Sequence, residues 1–326
     1  MGGRIISASE AHIDKIIATV NSGNAAARSR IAASWRRSLV SHGLDPADRG
    51  AQNHRDAPEV AGRKERLGRV MRVAAPMLDK LYELVGNSGC GIVLTDADGV
   101  VLDHRFADAD RDAFYGWGLG LGSDWSESSE GTNGIGTCLA ENRPVIIHRA
   151  EHFMARNTEM SCIDAPIYGA DGQIIAALDV SSARADQTHA INGLISEMVL
   201  QTARKIEADN FRDKFKFERI VVADRDDTGS MMLLAVDRDD IVVGATRGAR
   251  KAYGMSLEGD VAPVPARDLF GRDAGMTGLQ NAERAAVVRA LVRADQNVSK
   301  AARNLGISRA TLYRRMRQLG LSEKAS

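Results

Sequence analysis

At 326 residues, with 44% apolar and 26% charged side chains, the chain is too long for one ordinary domain and too apolar for a disordered or fibrous class. Lys+Arg and Asp+Glu balance at 43 each, so overall charge points to no partner until it is divided along the chain. No apolar run is long enough to span a membrane, and the start MGGRIISASEAHIDKI lacks a signal-peptide core, so no membrane association is expected. Cys90, Cys138 and Cys162 show no CxxC spacing, which argues against a disulfide framework or zinc knuckle and fits a reducing, cytoplasmic setting.

In chain order, Ala11 to Ser41 has helical spacing, interrupted at Asn21-Ser-Gly-Asn24 and stopped by Leu44-Asp45-Pro46. A polar connector over 47–57 leads into one long helix over 60–85, striped by Leu67, Val70, Ala74, Leu78, Leu81 and Val85. The period then changes. Gly91–Thr95, a turn at Asp96–Gly99 and Val100–Phe106 read as a hairpin, Pro144–His148 as a strand, and Ala165–Tyr168 with Gln173–Val180 as a second hairpin. Helical spacing returns from Asp186 to Phe217. From Met231, LLAVDRDDIVVGATRGARKAYG reads as strand, turn, strand and helix, a short echo of VLTDADGVVLDHRF. Pro263 and Pro265 open a linker.

These elements predict an α+β chain: a helical N-terminus (1–59), a sensor domain of antiparallel sheet with flanking long helices (60–217), a small module resembling a PAS remnant with a linker (218–275), and an all-α terminal domain (276–326). From Met276 onward ten basic residues face three acidic ones, a local surplus of seven. Three helices are expected there, over 279–294, 298–305 and 308–319, with Gly306 as a left-handed C-cap and Ser308 accepting from the Thr311 amide. Leu312, Met316 and Leu319 recur at helical spacing and face inward, leaving Ala310, Tyr313, Arg314 and Arg317 outside, with Arg309 at the start and Arg315 at the flank. A buried aliphatic stripe under an arginine-lined face fits a DNA major groove.

Asn297–Leu321 resembles the helix-turn-helix of the Fis-type bacterial regulators, carried by Ala301, Ala302, Leu305, Gly306, Ile307, Arg309, Thr311 and Leu312. The resemblance implies that Ser308 and Arg309 reach base edges while Thr311 and Arg314 hold phosphates, with Lys300, Tyr313, Arg315 and Arg317 completing the DNA-binding set. Tyr313 departs from the pattern, which has a basic residue there. A homodimer on a roughly palindromic site is implied, with RNA polymerase as a further candidate partner.

The stretch from Trp125 to Val180, together with Ile31–Ser38 and Gly43–Pro46, resembles the GAF domain and leading helix of the acetoin-catabolism class of transcription activators. That class carries a central ATPase that works on sigma-54 polymerase. Here no GxxxxGK[ST] string occurs, so regulation without ATP hydrolysis is expected. A small-molecule effector is implied, with Trp125, Asn133, Thr137, His148 and Cys162 as its candidate pocket.

Other motifs leave alternatives open. His148-Arg-Ala-Glu-His152 spells an inverted zinc-protease string but follows a strand, and no third ligand is evident. His148, His152 and Cys162 could instead serve metal or redox sensing, although a redox thiol needs exposure and nearby positive charge. The glycine runs 116–122 and 131–136 lack phosphate-loop register. No nucleophile, base and orienting group stand at a recognisable spacing, so no catalytic residues, resident metal or cofactor are expected. An architectural DNA-binding protein whose GAF domain only dimerises it is the remaining alternative.

Overall fold

The computed structural model describes residues 8–22, 24–50, 52–182, 189–223, 231–270 and 278–321. They fall into two compact units, Met1–Ala266 and Arg267–Ser326.

The first unit opens with α1 (Ala8–Asn21), α2 (Ala25–Arg28) and α3 (Arg30–Arg36), interrupted where the sequence predicts, with Ser29 accepting from the Ala32 amide to start α3. A π turn, Arg37–Ser41, extends α3. The single helix expected over 60–85 is two, α4 (Ala57–Arg66) and α5 (Gly68–Val85). Leu67 leaves helical geometry at φ −92°, ψ 13°. Gly68, a poor helix former, follows at once. Asp56 caps α4 by accepting from the Glu59 amide at 2.8 Å.

Next come β1 (Cys90–Asp96), β2 (Val101–Arg105), α6 (Arg111–Gly116), α7 (Glu127–Glu130), α8 (Gly134–Glu141), β3 (Val145–His148), β4 (Ser161–Tyr168), β5 (Ile174–Ser182) and α9 (His189–Lys214). The expected start of the last helix at Asp186 lies outside the described residues. The strands form one antiparallel sheet in the order β2-β1-β5-β4-β3.

Side-chain alternation sorts the sheet into two buried faces. Ile92, Leu94, Ile163, Ala165, Ile167, Ala176, Leu178 and Val180 pack against α5 and α9 through Leu78, Leu81, Val199 and Ile206. Val93, Val145, Ile147, Cys162 and Ala177 face the other way, into a core with Phe106, Phe114, Leu119, Trp125, Ile135 and Cys138. The N-terminal helices add a smaller core in which Ile16, Val20 and Trp35 meet Phe153 and Met154.

A second antiparallel sheet has the order β6 (Arg219–Val222), β7 (Leu233–Val236), β8 (Ile241–Ala245) and β9 (Val264–Pro265), with α10 (Arg247–Ala252) after β8 and α11 (Ala266–Phe270) after β9. Here the structure corrects two expectations. Arg219–Val222 is a strand that sequence reading did not anticipate, and the linker proposed from Pro263 contains an edge strand, a position that tolerates proline because one side of its backbone needs no ladder partner.

The echo between the two hairpins extends to their turns. Asp96 Oδ1 accepts from the amides of Asp98 and Val100, each at 3.0 Å, and Asp237 Oδ1 accepts from those of Asp239 and Ile241, each at 2.9 Å. Both are aspartate-stabilised turns. The fourth turn position has positive φ in each, but is Gly99 in one and Asp240 in the other.

The β4–β5 turn is fastened to the second sheet's surroundings. The Arg247 guanidinium lies 4.6 Å from the Tyr168 ring centroid and donates to the Gly172 carbonyl at 2.7 Å. The Tyr168 amide donates to Glu207 of α9 at 2.9 Å, and burial pushes that carboxyl up to about 7. Gly172 has φ +81°, and a Cβ there would collide with the Leu257 carbonyl. Gly172→Ala is therefore expected to cost about 1–3 kcal/mol. A circular-dichroism melt matching wild type would show that this turn is not held as described.

Candidate functional site

Within the second unit lie α12 (Gly278–Arg293), α13 (Val298–Asn304) and α14 (Arg309–Gln318); the expected domain start at Met276 lies outside the described residues. Asn297 caps α13 by accepting from the Lys300 amide at 3.0 Å. Gly306 takes φ +68°, and Ser308 accepts from the Thr311 amide at 3.1 Å. These local devices set a tight turn between α13 and α14. Leu312, Met316 and Leu319 then bury against Val287, Leu291, Ala294, Ala301 and Ala302, which fixes which face of α14 points outward.

That outward face presents Arg309, Ala310, Arg314 and Arg317, all exposed, while Thr311 and Tyr313 are half-buried. The Arg309 guanidinium lies 5.4 Å from the Tyr313 ring centroid and reaches its hydroxyl at 3.3 Å. Ser308 and Thr311 hydroxyls meet at 2.8 Å, so both serve the cap. Arg315 turns toward α12 and pairs with Glu283 at 2.8 Å, and Lys300 stands 4.0 Å from Asp295. Of the expected DNA-binding set, Arg309, Arg314 and Arg317 thus share one open face, whereas Arg315 is engaged within its own unit.

In the first unit, the expected pocket residues are mostly interior and already partnered. Trp125 is 1% exposed and donates to the Gly118 carbonyl at 2.8 Å. Asn133 caps α8 by accepting from the Gly136 amide at 2.8 Å, while its Nδ2 donates to the carbonyls of Trp125 and Gly131 at 3.0 and 2.9 Å. Thr137 donates to Glu127 at 3.2 Å. Glu127 also receives Ser34 and two hydrogen bonds from Arg37, at 2.8 and 2.9 Å, tying α3 to α7. Glu130, three residues on, is held by Arg156 at 2.7 and 2.8 Å; burial still raises its pKa against that guanidinium. Residues 131–138 are all buried, so this glycine run packs inside.

His148 stands apart from the other four. It is the cross-strand partner of Ser161 and meets its hydroxyl at 2.7 Å, whereas Cys162, the next residue, points to the opposite face. His152 does meet Cys162, with Nε2 3.3 Å from Sγ. Its Nδ1 lies 3.0 Å from the Arg149 carbonyl and must donate there, so Nε2 is the acceptor. Burial lowers His152 to about 4 and pushes the Cys162 thiol well up, as it does Cys138. A neutral imidazole beside a protonated, buried thiol is not a redox-reactive pair. Among the described residues no three metal-ligating side chains converge.

Sequence reasoning missed a pair on the α8-covered face. Asp164 and Asp179 are cross-strand partners at the centre of the sheet, flanked by Val145 and Val93 in the same row. Both are buried, at 1% and 0% exposure. Ser181 donates to Asp179 Oδ2 at 2.8 Å, but among the described residues no other group donates to Asp179 Oδ1 or to either oxygen of Asp164. Burial raises both pKa values, and for Asp164 the neighbouring carboxyl adds to the rise. One proton shared between the two resolves the repulsion. The available sequence signal was a lone acid in each of SCIDAPIY and IIAALDVSS, at positions where alternation demands a buried side chain.

Residues 8–205 match the family described as MimR, N-terminal domain. The chain belongs to the MimR N-terminal domain family. Residues 278–319 match the bacterial regulatory protein, Fis family, and so cover the three helices of the second unit. The acetoin catabolism regulatory protein of Cupriavidus necator is 32% identical over 243 residues, 73% of this chain and 36% of that protein. The propane 2-monooxygenase operon transcriptional activator MimR of Mycolicibacterium smegmatis is 36% identical over 99 residues, 30% of this chain and 17% of that protein. This member of the MimR N-terminal domain family thus spans about a third or less of these relatives' length. The fold of its first unit is like that in the E. coli DhaR(N)–DhaL complex, with TM-score 0.52 at 13% identity over 70% of this chain and 76% of that one.

The acid pair sets a pH dependence. The folded chain holds a proton that unfolded aspartates release in the ordinary carboxylate range, so stability falls as pH rises out of that range toward the pair's raised values. Asp179→Asn is expected to flatten this loss. Denaturant unfolding at pH 5 and pH 8 measures it, and an unchanged slope would show that the pair does not share a proton.

Proposed function

We propose that the chain is a cytoplasmic, dimeric, DNA-binding transcription regulator and not an enzyme. Its helix α14 reads a roughly palindromic site, and a small molecule bound to a GAF-type sensor domain alters that binding without ATP hydrolysis. The observation that carries this reading is the open arginine face of α14, held outward by the burial of Leu312, Met316 and Leu319 within a Fis-family unit. Relatives named as transcriptional activators of operons support the regulatory role.

The sensor reading draws on the name of the acetoin catabolism relative and on a first unit in which long helices flank the sheet. In this reading 1–59 and 60–217 act together, since Glu127 joins α3 to α7, and 218–275 connects them to the DNA-binding domain at 276–326. Acetoin and other small alcohols, ketones and diols are the first effectors to try. A ligand can change operator affinity only by its differential affinity for the two arrangements of the dimer.

Fluorescence anisotropy with DNA flanking the chain's own gene, at two salt concentrations, tests the DNA contacts. Arg309→Ala should cost about 1–3 kcal/mol and relax specificity, whereas Arg314→Ala should weaken all sequences alike and reduce the salt slope by about 1. Unchanged binding in both variants would refute the placement of α14. The same titration with each small molecule tests sensing: one compound should shift the operator affinity, and indifference to the whole panel would count against a ligand-gated regulator.

A further inference from the structure

The helical cover of the sheet is broken where α4 ends at Arg66 and α5 begins at Gly68, and the sheet is uneven at the same place. Strand β1 stops at Asp96, opposite Ala176, whereas β5 starts at Ile174, so two residues of β5 run past the end of β1. The two irregularities meet in a notch of about 220 Å³, lined by Arg63, Arg66 and Leu67 from the helical layer, Asp98 from the β1–β2 turn, and Ile174 and Ile175 from β5. Leu67 and Ile175 are half-buried, packed on the core from one side and bordering the notch from the other. The charges around this apolar floor divide into spent and unspent. Arg63 donates to Glu59 at 3.1 and 2.9 Å, to Asp96 at 2.6 Å and to Asp98 at 2.8 Å. Asp96 is used up by that guanidinium and by the amides of Asp98 and Val100. Asp98 accepts only through Oδ2, and its side chain is 73% exposed, with Oδ1 left over among the described residues. The Arg66 guanidinium is exposed and forms no ion pair among the described residues. One unspent cation and one half-spent carboxylate thus border the same floor without pairing with each other.

We propose that this notch binds a small zwitterion, an α-amino acid with an aliphatic side chain, whose carboxylate meets Arg66, whose ammonium meets Asp98 and whose side chain lies over Leu67 and Ile175. The site is separate from the expected pocket of Trp125, Asn133, Thr137, His148 and Cys162, and the inference does not depend on the regulatory reading. The chemistry follows from the lining. Arg63 and Arg66 are balanced by Asp96 and Asp98, so the notch favours neither a net anion nor a net cation. A carboxylate alone would answer Arg66 but face Asp98, and an amine alone would do the reverse. A molecule carrying both charges satisfies both, and a guanidinium takes a carboxylate in bidentate fashion. The volume falls below the range of about 300–1,000 Å³ typical of sites for larger ligands, which fits a single amino acid and excludes a nucleotide. Because the anchoring charges stand at the surface, water competes with each contact and binding is weak.

Isothermal titration of the full chain, without DNA, tests the site with three probes of one shape: L-leucine, 4-methylpentanoate, which lacks the ammonium, and 3-methylbutylamine, which lacks the carboxylate. Leucine should bind, and each single-charge analogue should bind about three- to tenfold more weakly. Arg66→Gln and Asp98→Asn change exposed side chains and should melt close to wild type in circular dichroism. Each should weaken leucine by about three- to tenfold, and the two should separate the charges. Arg66→Gln should also weaken 4-methylpentanoate while leaving 3-methylbutylamine unaffected, and Asp98→Asn should do the opposite. Arg66→Lys, which keeps the charge without the fork, should retain part of the leucine affinity. Absence of leucine binding, an analogue that binds as tightly as leucine, or leucine affinity unchanged in either neutral variant overturns the proposal.

Discussion

Burial of both faces of the five-stranded sheet is the constraint from which the rest of the first unit follows. A sheet with one wet face would need one helical layer; this one needs two, and the chain supplies them from different places. Helices α5 and α9, before and after the sheet, cover one face. The long β2-to-β3 connection, with α6, α7 and α8, covers the other. Beyond it, α1 and α3 pack through Ile16, Val20 and Trp35 on Phe153 and Met154 of the β3–β4 connection. Two buried carboxylates near this junction are paired, Glu127 with Arg37, which also reaches Glu141, and Glu130 with Arg156. Removing the guanidinium from either pair leaves an uncompensated buried carboxylate, and through Arg37 the N-terminal segment is bound to the domain by electrostatics as well as by packing.

The second unit solves a smaller problem with fewer parts. Three short helices share one core of alanines, leucines, valine and methionine, and the small Ala301 and Ala302 allow α14 to approach closely. Almost all of its specification is local: two side-chain caps, the left-handed glycines Gly306 and Gly320, and a stripe at helical spacing. Its sequence could therefore be read nearly to the residue. The exception is Arg315, whose engagement with Glu283 depends on where α12 passes and has no signature along the chain.

The same distinction explains what was legible in the first unit. Turns announced themselves, since Asp96 and Asp237 organise the residues immediately after them. The break at Leu67 was obscured because the apolar stripe continues across it, and periodicity counts side chains without noticing one residue's ψ. Arg219–Val222 is a partly exposed strand of four residues, whose short Ile-Val-Val run shows no alternation to set it apart from the helical spacing just before it. The pairing of Asp164 with Asp179 arises only from cross-strand register, as does the separation of His148 from Cys162. Residue types were visible in every case; which faces they share was not.

All three native cysteines are buried, and the two whose thiols shift are driven further from the reactive thiolate form. The chain is thus chemically quiet toward thiol reagents in its native state. A cysteine introduced on the exposed face of α14 would be the accessible nucleophile against that background. A fluorophore or spin label can therefore be attached there without first removing Cys90, Cys138 and Cys162, which leaves both cores intact and lets the label report whether two chains associate.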